Sequence, residues 1–93
     1  MVAFFDIKDI KEFTKKYVSP TIPIAIKHGG KVLCSASNDF VKEGKFPPGR
    51  SLIIEFPTME AAEAFYSDPE YQPLIKMRET ISSTVLGIFP SFS

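Results

Sequence analysis

Val2 to Ile7 (VAFFDI) is a short apolar run with two phenylalanines, and it predicts a first strand. The period then changes. Ile10, Phe13 and Tyr17 recur at helical spacing, and Asp9 stands three residues before Glu12 as a capping pair, so a helix follows. Ser19-Pro20 and Pro23 interrupt it, because proline lacks the amide proton and disfavours helical geometry in the residue before it. Ile22, Ala25, Ile26 and Gly29 restore an apolar stripe, which predicts a broken helix that resumes and ends at Gly29-Gly30.

Lys31 to Ala36 (KVLCSA) predicts a second strand and Ser51 to Phe56 (SLIIEF) a third. A long polar connection with Asn38-Asp39, Gly44 and Pro47-Pro48-Gly49 joins them. Thr58 caps the next helix, whose buried stripe is Met59, Ala62, Phe65 and Tyr66. Asp68-Pro69 ends it. Pro73 opens a last helix with Leu74, Met77, Arg78 and Ile81 on one side, and Thr84 to Phe89 (TVLGIF) closes the chain's elements as a strand.

The order is βαββαβ. It predicts a single α+β domain over residues 1–93, with a four-stranded antiparallel sheet and helices on one face. Both faces of that sheet read as apolar: Leu52 and Ile54 oppose Ile53, Leu86 and Ile88 oppose Val85 and Phe89, and Phe4 opposes Phe5. Helices cover one face. The other calls for a partner, most economically the same face of a second copy in a two-fold homodimer.

Composition narrows the class of function. Eleven basic residues balance eleven acidic ones, so the broad attraction expected of a nucleic-acid or anionic-membrane binder is missing. Strand three also lacks the Lys/Arg-Gly-aromatic pattern of RNA-recognition domains. One cysteine, Cys34, makes neither an internal disulfide nor a cysteine-rich metal site, and one histidine cannot build a histidine-rich one, so no metal is expected. With no leader-like N-terminus and no apolar run near the roughly 20 residues of a membrane span, the expectation is a soluble cytoplasmic protein.

Five side chains carry the candidate chemistry. Arg50 enters strand three on the side of Leu52 and Ile54, which should aim it at the mouth between sheet and helices. Arg78 shares an apolar stripe with Leu74 and Ile81, where a guanidinium needs carboxylate, carbonyl or ligand acceptors. Converging on one cleft, the two would clamp a small carboxylate or phosphate. Tyr66 and Tyr71 flank the Asp68-Pro69 turn and can line the same pocket. His28 closes the first helical region, either as an acid/base or as a cation complementing the helix dipole. The rival reading is an interaction domain without a small-molecule site, its arginines held in structural salt bridges.

Several short motifs fall in one order along the chain: His28-Gly29-Gly30, Glu43-Gly44, Pro48-Gly49-Arg50, Glu55-Phe56-Pro57, Ala61-Ala62, Phe65-Tyr66, the run Ser67 to Tyr71, and Arg78. In this the chain resembles the domain-of-unknown-function 1330 family over nearly its whole length. Two departures stand out: Lys8-Asp9-Ile10 replaces an Asp-Pro often seen before the first helix, and Phe46 replaces a frequent tryptophan before the Pro-x-x-Arg turn. The resemblance implies a ferredoxin-like fold of the dimeric α/β-barrel superfamily, which includes small monooxygenases, muconolactone isomerases and haem enzymes. The family itself has no established reaction. The leading expectation from the residues is a cofactor-independent homodimer that binds a small organic anion between sheet and helices; if it catalyses a reaction, the resemblance implies proton transfer or oxygenation, with His28 as the acid/base.

Overall fold

A computed structural model of the chain describes residues 1–46 and 48–91; Pro47 of the Pro-Pro-Gly turn lies outside the described residues. Strand β1 (Val2–Ile7) has the span its sequence predicts. Helix α1 (Ile10–Phe13) starts at Asp9, whose carboxylate accepts the Glu12 amide at 3.1 Å. The helix does not break at the prolines. Residues Thr14–Val18 widen into a π-helical turn, the Ser19 amide reaches back to the Thr14 carbonyl, and α2 (Ser19–Lys27) continues with Pro20 in its first turn and Pro23 inside. Pro20 has no amide to donate to the preceding turn, and the one-residue widening just before it lets the helix run on past the missing bond.

After α2 the glycine pair does what the sequence suggests. Gly29 adopts φ 80°, its amide bonds Ile26 at 2.9 Å, and the Gly30 amide bonds Ala25 at 2.8 Å. Two orphan carbonyls of α2 are satisfied there by a Schellman turn. Strand β2 (Lys31–Ser37) leads through a 3₁₀ turn at Asn38–Phe40 to β3 (Gly49–Glu55). Helix α3 (Met59–Tyr66) is capped by Thr58, whose hydroxyl accepts the Ala61 amide at 3.0 Å. Helix α4 (Gln72–Ile81) has Pro73 in its first turn and runs without a loop into β4 (Ser82–Gly87). Thus β3 and β4 each begin two residues before their expected starts, since Gly49 pairs with Asp6, and Ser82 with Ile7.

The sheet order is β2-β3-β1-β4 with every pairing antiparallel, a ferredoxin-like α+β fold. Ala3 pairs with Leu52 and Leu86, and Phe5 with Arg50 and Thr84, so these residues share the face that the helices cover. Phe5, Phe13, Tyr17, Ile54, Phe65 and Tyr71 are fully buried there. Removing one such ring typically costs about 3–5 kcal/mol. Val2, Phe4, Ile53 and Val85 fall on the opposite face, with Val85 67 % exposed and the Phe46 ring set edge-on against Phe4. A register shift between Val32 and Cys34 puts Leu33 out of the ladder and brings Cys34 onto that open face, opposite Ile53.

Gly49 is fixed by the close approach of two strands. A Cβ built there would lie 1.9 Å from the Phe5 carbonyl oxygen, so only glycine lets β3 begin beside β1. Among the described residues no helix is long and apolar enough to cross a membrane.

Candidate anion-binding site

Arg78 lies on α4, one turn after Leu74, and is 4 % exposed. Its Nη1 donates to the Tyr17 and Tyr71 hydroxyls, 3.1 Å from each, and its guanidinium carbon stands 5.2 Å from the centre of the Tyr17 ring. The two phenol oxygens are 2.5 Å apart, one O–H donating to the other. Tyr17 comes from the π-helical turn and Tyr71 from the residue that precedes α4, so the site joins the first helical region to α4. The Ser82 hydroxyl donates to the Arg78 carbonyl at 2.9 Å, which ties this end of α4 to β4.

No carboxylate among the described residues pairs with the guanidinium. The ion pairs of the described residues join Lys16 to Glu12, Lys27 to Asp68 and Glu70, and His28 to Asp68. Arg78 is in none of them, and its buried Nε has no acceptor among the described residues. An uncompensated buried charge costs several kcal/mol, roughly, and a buried N–H without an acceptor about 1–3 kcal/mol more. Burial works against the Arg78 charge, but the Tyr17 and Tyr71 oxygens outweigh it and the guanidinium stays protonated. Burial likewise pushes the Tyr71 phenol well above its ordinary value, so it stays neutral and acts as a dipole.

A second cluster frames the first. The Asp68 carboxylate accepts Lys27 Nζ at 2.8 Å, bonds His28 Nε2 at 2.7 Å, and takes the Glu70 amide at 2.8 Å. These contacts, Lys27 foremost, hold the Asp68 carboxyl well below the usual carboxylate range. The Asp68 backbone carbonyl meanwhile accepts the Tyr71 and Gln72 amides at 2.9 and 3.2 Å. One residue therefore staples the end of α2 to the turn that delivers Tyr71. His28 sits in that staple, its ring edge-on to Phe65.

Arg50 faces the helical side, as alternation requires, but its Nη2 donates to the carbonyl and hydroxyl of Ser35 on edge strand β2, at 3.1 and 3.2 Å. The two arginines take different partners. Tyr66 is half-buried, and its ring centre lies 6.0 Å from that of Tyr71. Tyr71 is the candidate tyrosine that touches Arg78 directly. Sequence reading missed two members of the site. Tyr17 stood in the apolar stripe Ile10-Phe13-Tyr17, and the signal was its hydroxyl, which a buried position obliges to find a partner. Asp68 passed as a turn residue, although a carboxylate preceding proline and followed by a second acid was open to pairing with Lys27 and His28.

The chain's likeness to known proteins bears on this arrangement. Residues 1–92 match the family model described as domain of unknown function (DUF1330). The chain belongs to that family. A search among curated proteins finds no match. Membership in DUF1330 carries the fold over and assigns no reaction, so the chemistry of this member rests on its own side chains.

Proposed function

We propose that the protein is a homodimer that binds a small organic anion at Arg78, between the sheet and the helices of each protomer. One observation carries this: a guanidinium 4 % exposed, paired with neutral phenols and with no carboxylate among the described residues. Folded proteins pair or ligate buried charges, and perturbed groups of this sort gather at functional sites. Tyr71 and Tyr17 orient the ligand through Arg78, with the half-buried Tyr66 ring beside Tyr71. The His28–Asp68 pair supplies an oriented imidazole on the adjoining turn, suited to proton transfer. The open sheet face with Phe4, Ile53 and Val85 supports the two-fold dimer, since an apolar sheet face gains stability by burial against its like.

The rival is an interaction domain with structural arginines, and the bonds of Arg50 to Ser35 favour it for that residue alone. Thermal shift against a panel of small carboxylates and phosphates separates the two readings. A ligand-induced shift present in the wild type and in Arg50→Ala but absent in Arg78→Ala is the expected result. Equal shifts in all three proteins, or none in any, would contradict the Arg78 site. A monomeric mass by light scattering at micromolar concentration would contradict the dimer.

A further inference from the structure

Resting on that reading, we infer that the Arg78 site takes an apolar monocarboxylate, of benzoate-like chemistry, and discriminates against phosphate dianions. The first ground is charge. The groups hydrogen-bonded to the guanidinium are two phenols, so the site holds one positive charge and balances one negative charge. A dianion would bury an excess negative charge, whose effective penalty inside a protein is large.

The second ground is the geometry of the donors. Nη1 is spent on Tyr17 and Tyr71, whereas Nε–H is buried without an acceptor among the described residues. Nε–H belongs to the lateral edge of the guanidinium, whose parallel N–H bonds match the two oxygens of a carboxylate. The phenols add one donor more. One phenol proton is used between the two oxygens, which leaves the other O–H for a further acceptor. The unspent N–H and O–H are both donors, as an acceptor-only ligand requires.

The third ground is the apolar neighbourhood of these donors. The Phe65 ring centre is 4.5 Å from that of Tyr71, that of half-buried Tyr66 is 6.0 Å from it, and Leu74 and Ile75 precede Arg78 by one turn. A flat apolar body suits such surroundings, because it recovers burial while only its head group needs hydrogen bonds.

The test titrates wild-type protein with benzoate, benzamide and phenyl phosphate, following the Arg78 Nε–H proton resonance and the near-ultraviolet absorbance of the tyrosines. Benzoate should bind and move both signals, and benzamide should do neither. At pH 7.5 phenyl phosphate should bind at least about tenfold more weakly than benzoate, and the gap should narrow at pH 5, where the phosphate is a monoanion. Arg78→Met should abolish benzoate binding. Phenyl phosphate binding as tightly as benzoate at pH 7.5, with dependence on Arg78, would overturn the ligand class and leave the anion site standing. Failure of every probe to perturb the Arg78 resonance in the wild type would overturn both. The pH comparison needs no variant, so a misfolded Arg78→Met protein would not rescue the inference.

Discussion

Tyr17 and Tyr71, 54 residues apart in the chain, meet through phenol oxygens 2.5 Å apart, and each accepts a hydrogen bond from Arg78. Replacing either tyrosine with phenylalanine leaves a buried N–H of Arg78 with one acceptor fewer. Each single change should cost about 1–3 kcal/mol in urea denaturation, and the double variant should cost less than the sum by about 0.5–3 kcal/mol. Strict additivity would mean that the phenols do not act as a unit.

The same geometry makes an opposite prediction for the arginine. In ligand-free protein Arg78→Met removes an uncompensated buried charge and leaves the two phenols bonded to each other. Stability should be unchanged or higher by about 1–3 kcal/mol, the usual outcome when a buried polar arrangement gives way to an apolar side chain of similar volume. A purely structural Arg78 would show a clear loss in the same denaturation experiment.

Asp68 should govern stability in acid. Its folded-state pKa lies below the ordinary 3.8, so the unfolded chain takes up the proton first as pH falls. The staple's contribution is therefore fully present at neutral pH and down to about pH 5, and it is lost as pH drops through the folded-state pKa. Asp68→Asn should be less stable than wild type at neutral pH and should show a shallower acid decline. Parallel curves of stability against pH for the two proteins would remove Asp68 from this role.

Gly49→Ala tests the strand approach beneath Arg50. Because the added methyl would lie 1.9 Å from the Phe5 carbonyl oxygen, β1 and β3 must move apart. A loss of about 4 kcal/mol or more, or failure to fold, is expected. Near-wild-type melting would mean that the two backbones separate at little cost.

These contacts also show what the sequence could and could not convey. Alternation in SLIIEF correctly set Arg50 on the face of Leu52 and Ile54, and the spacing Leu74-Arg78-Ile81 correctly buried Arg78, since both depend only on local period. The direction of each guanidinium was not legible, because it depends on partners distant in sequence: Ser35 on the neighbouring strand, and Tyr17 across 61 residues. The prolines at positions 20 and 23 misled for a related reason. Their local preference breaks a helix, yet packing of Phe13 and Tyr17 into the core keeps the segment helical and a π-helical turn absorbs the misfit. That turn is what brings Tyr17 to Arg78.

A crystal structure of the protein purified directly from its cells is the most direct test of the Arg78 site. An oxyanion within about 3 Å of Arg78 Nε, enclosed by Tyr17, Tyr71 and Tyr66, is the expected result. An Nε that faces only packed carbon or an ordered water, in protein that nonetheless shows its full stability, would contradict it.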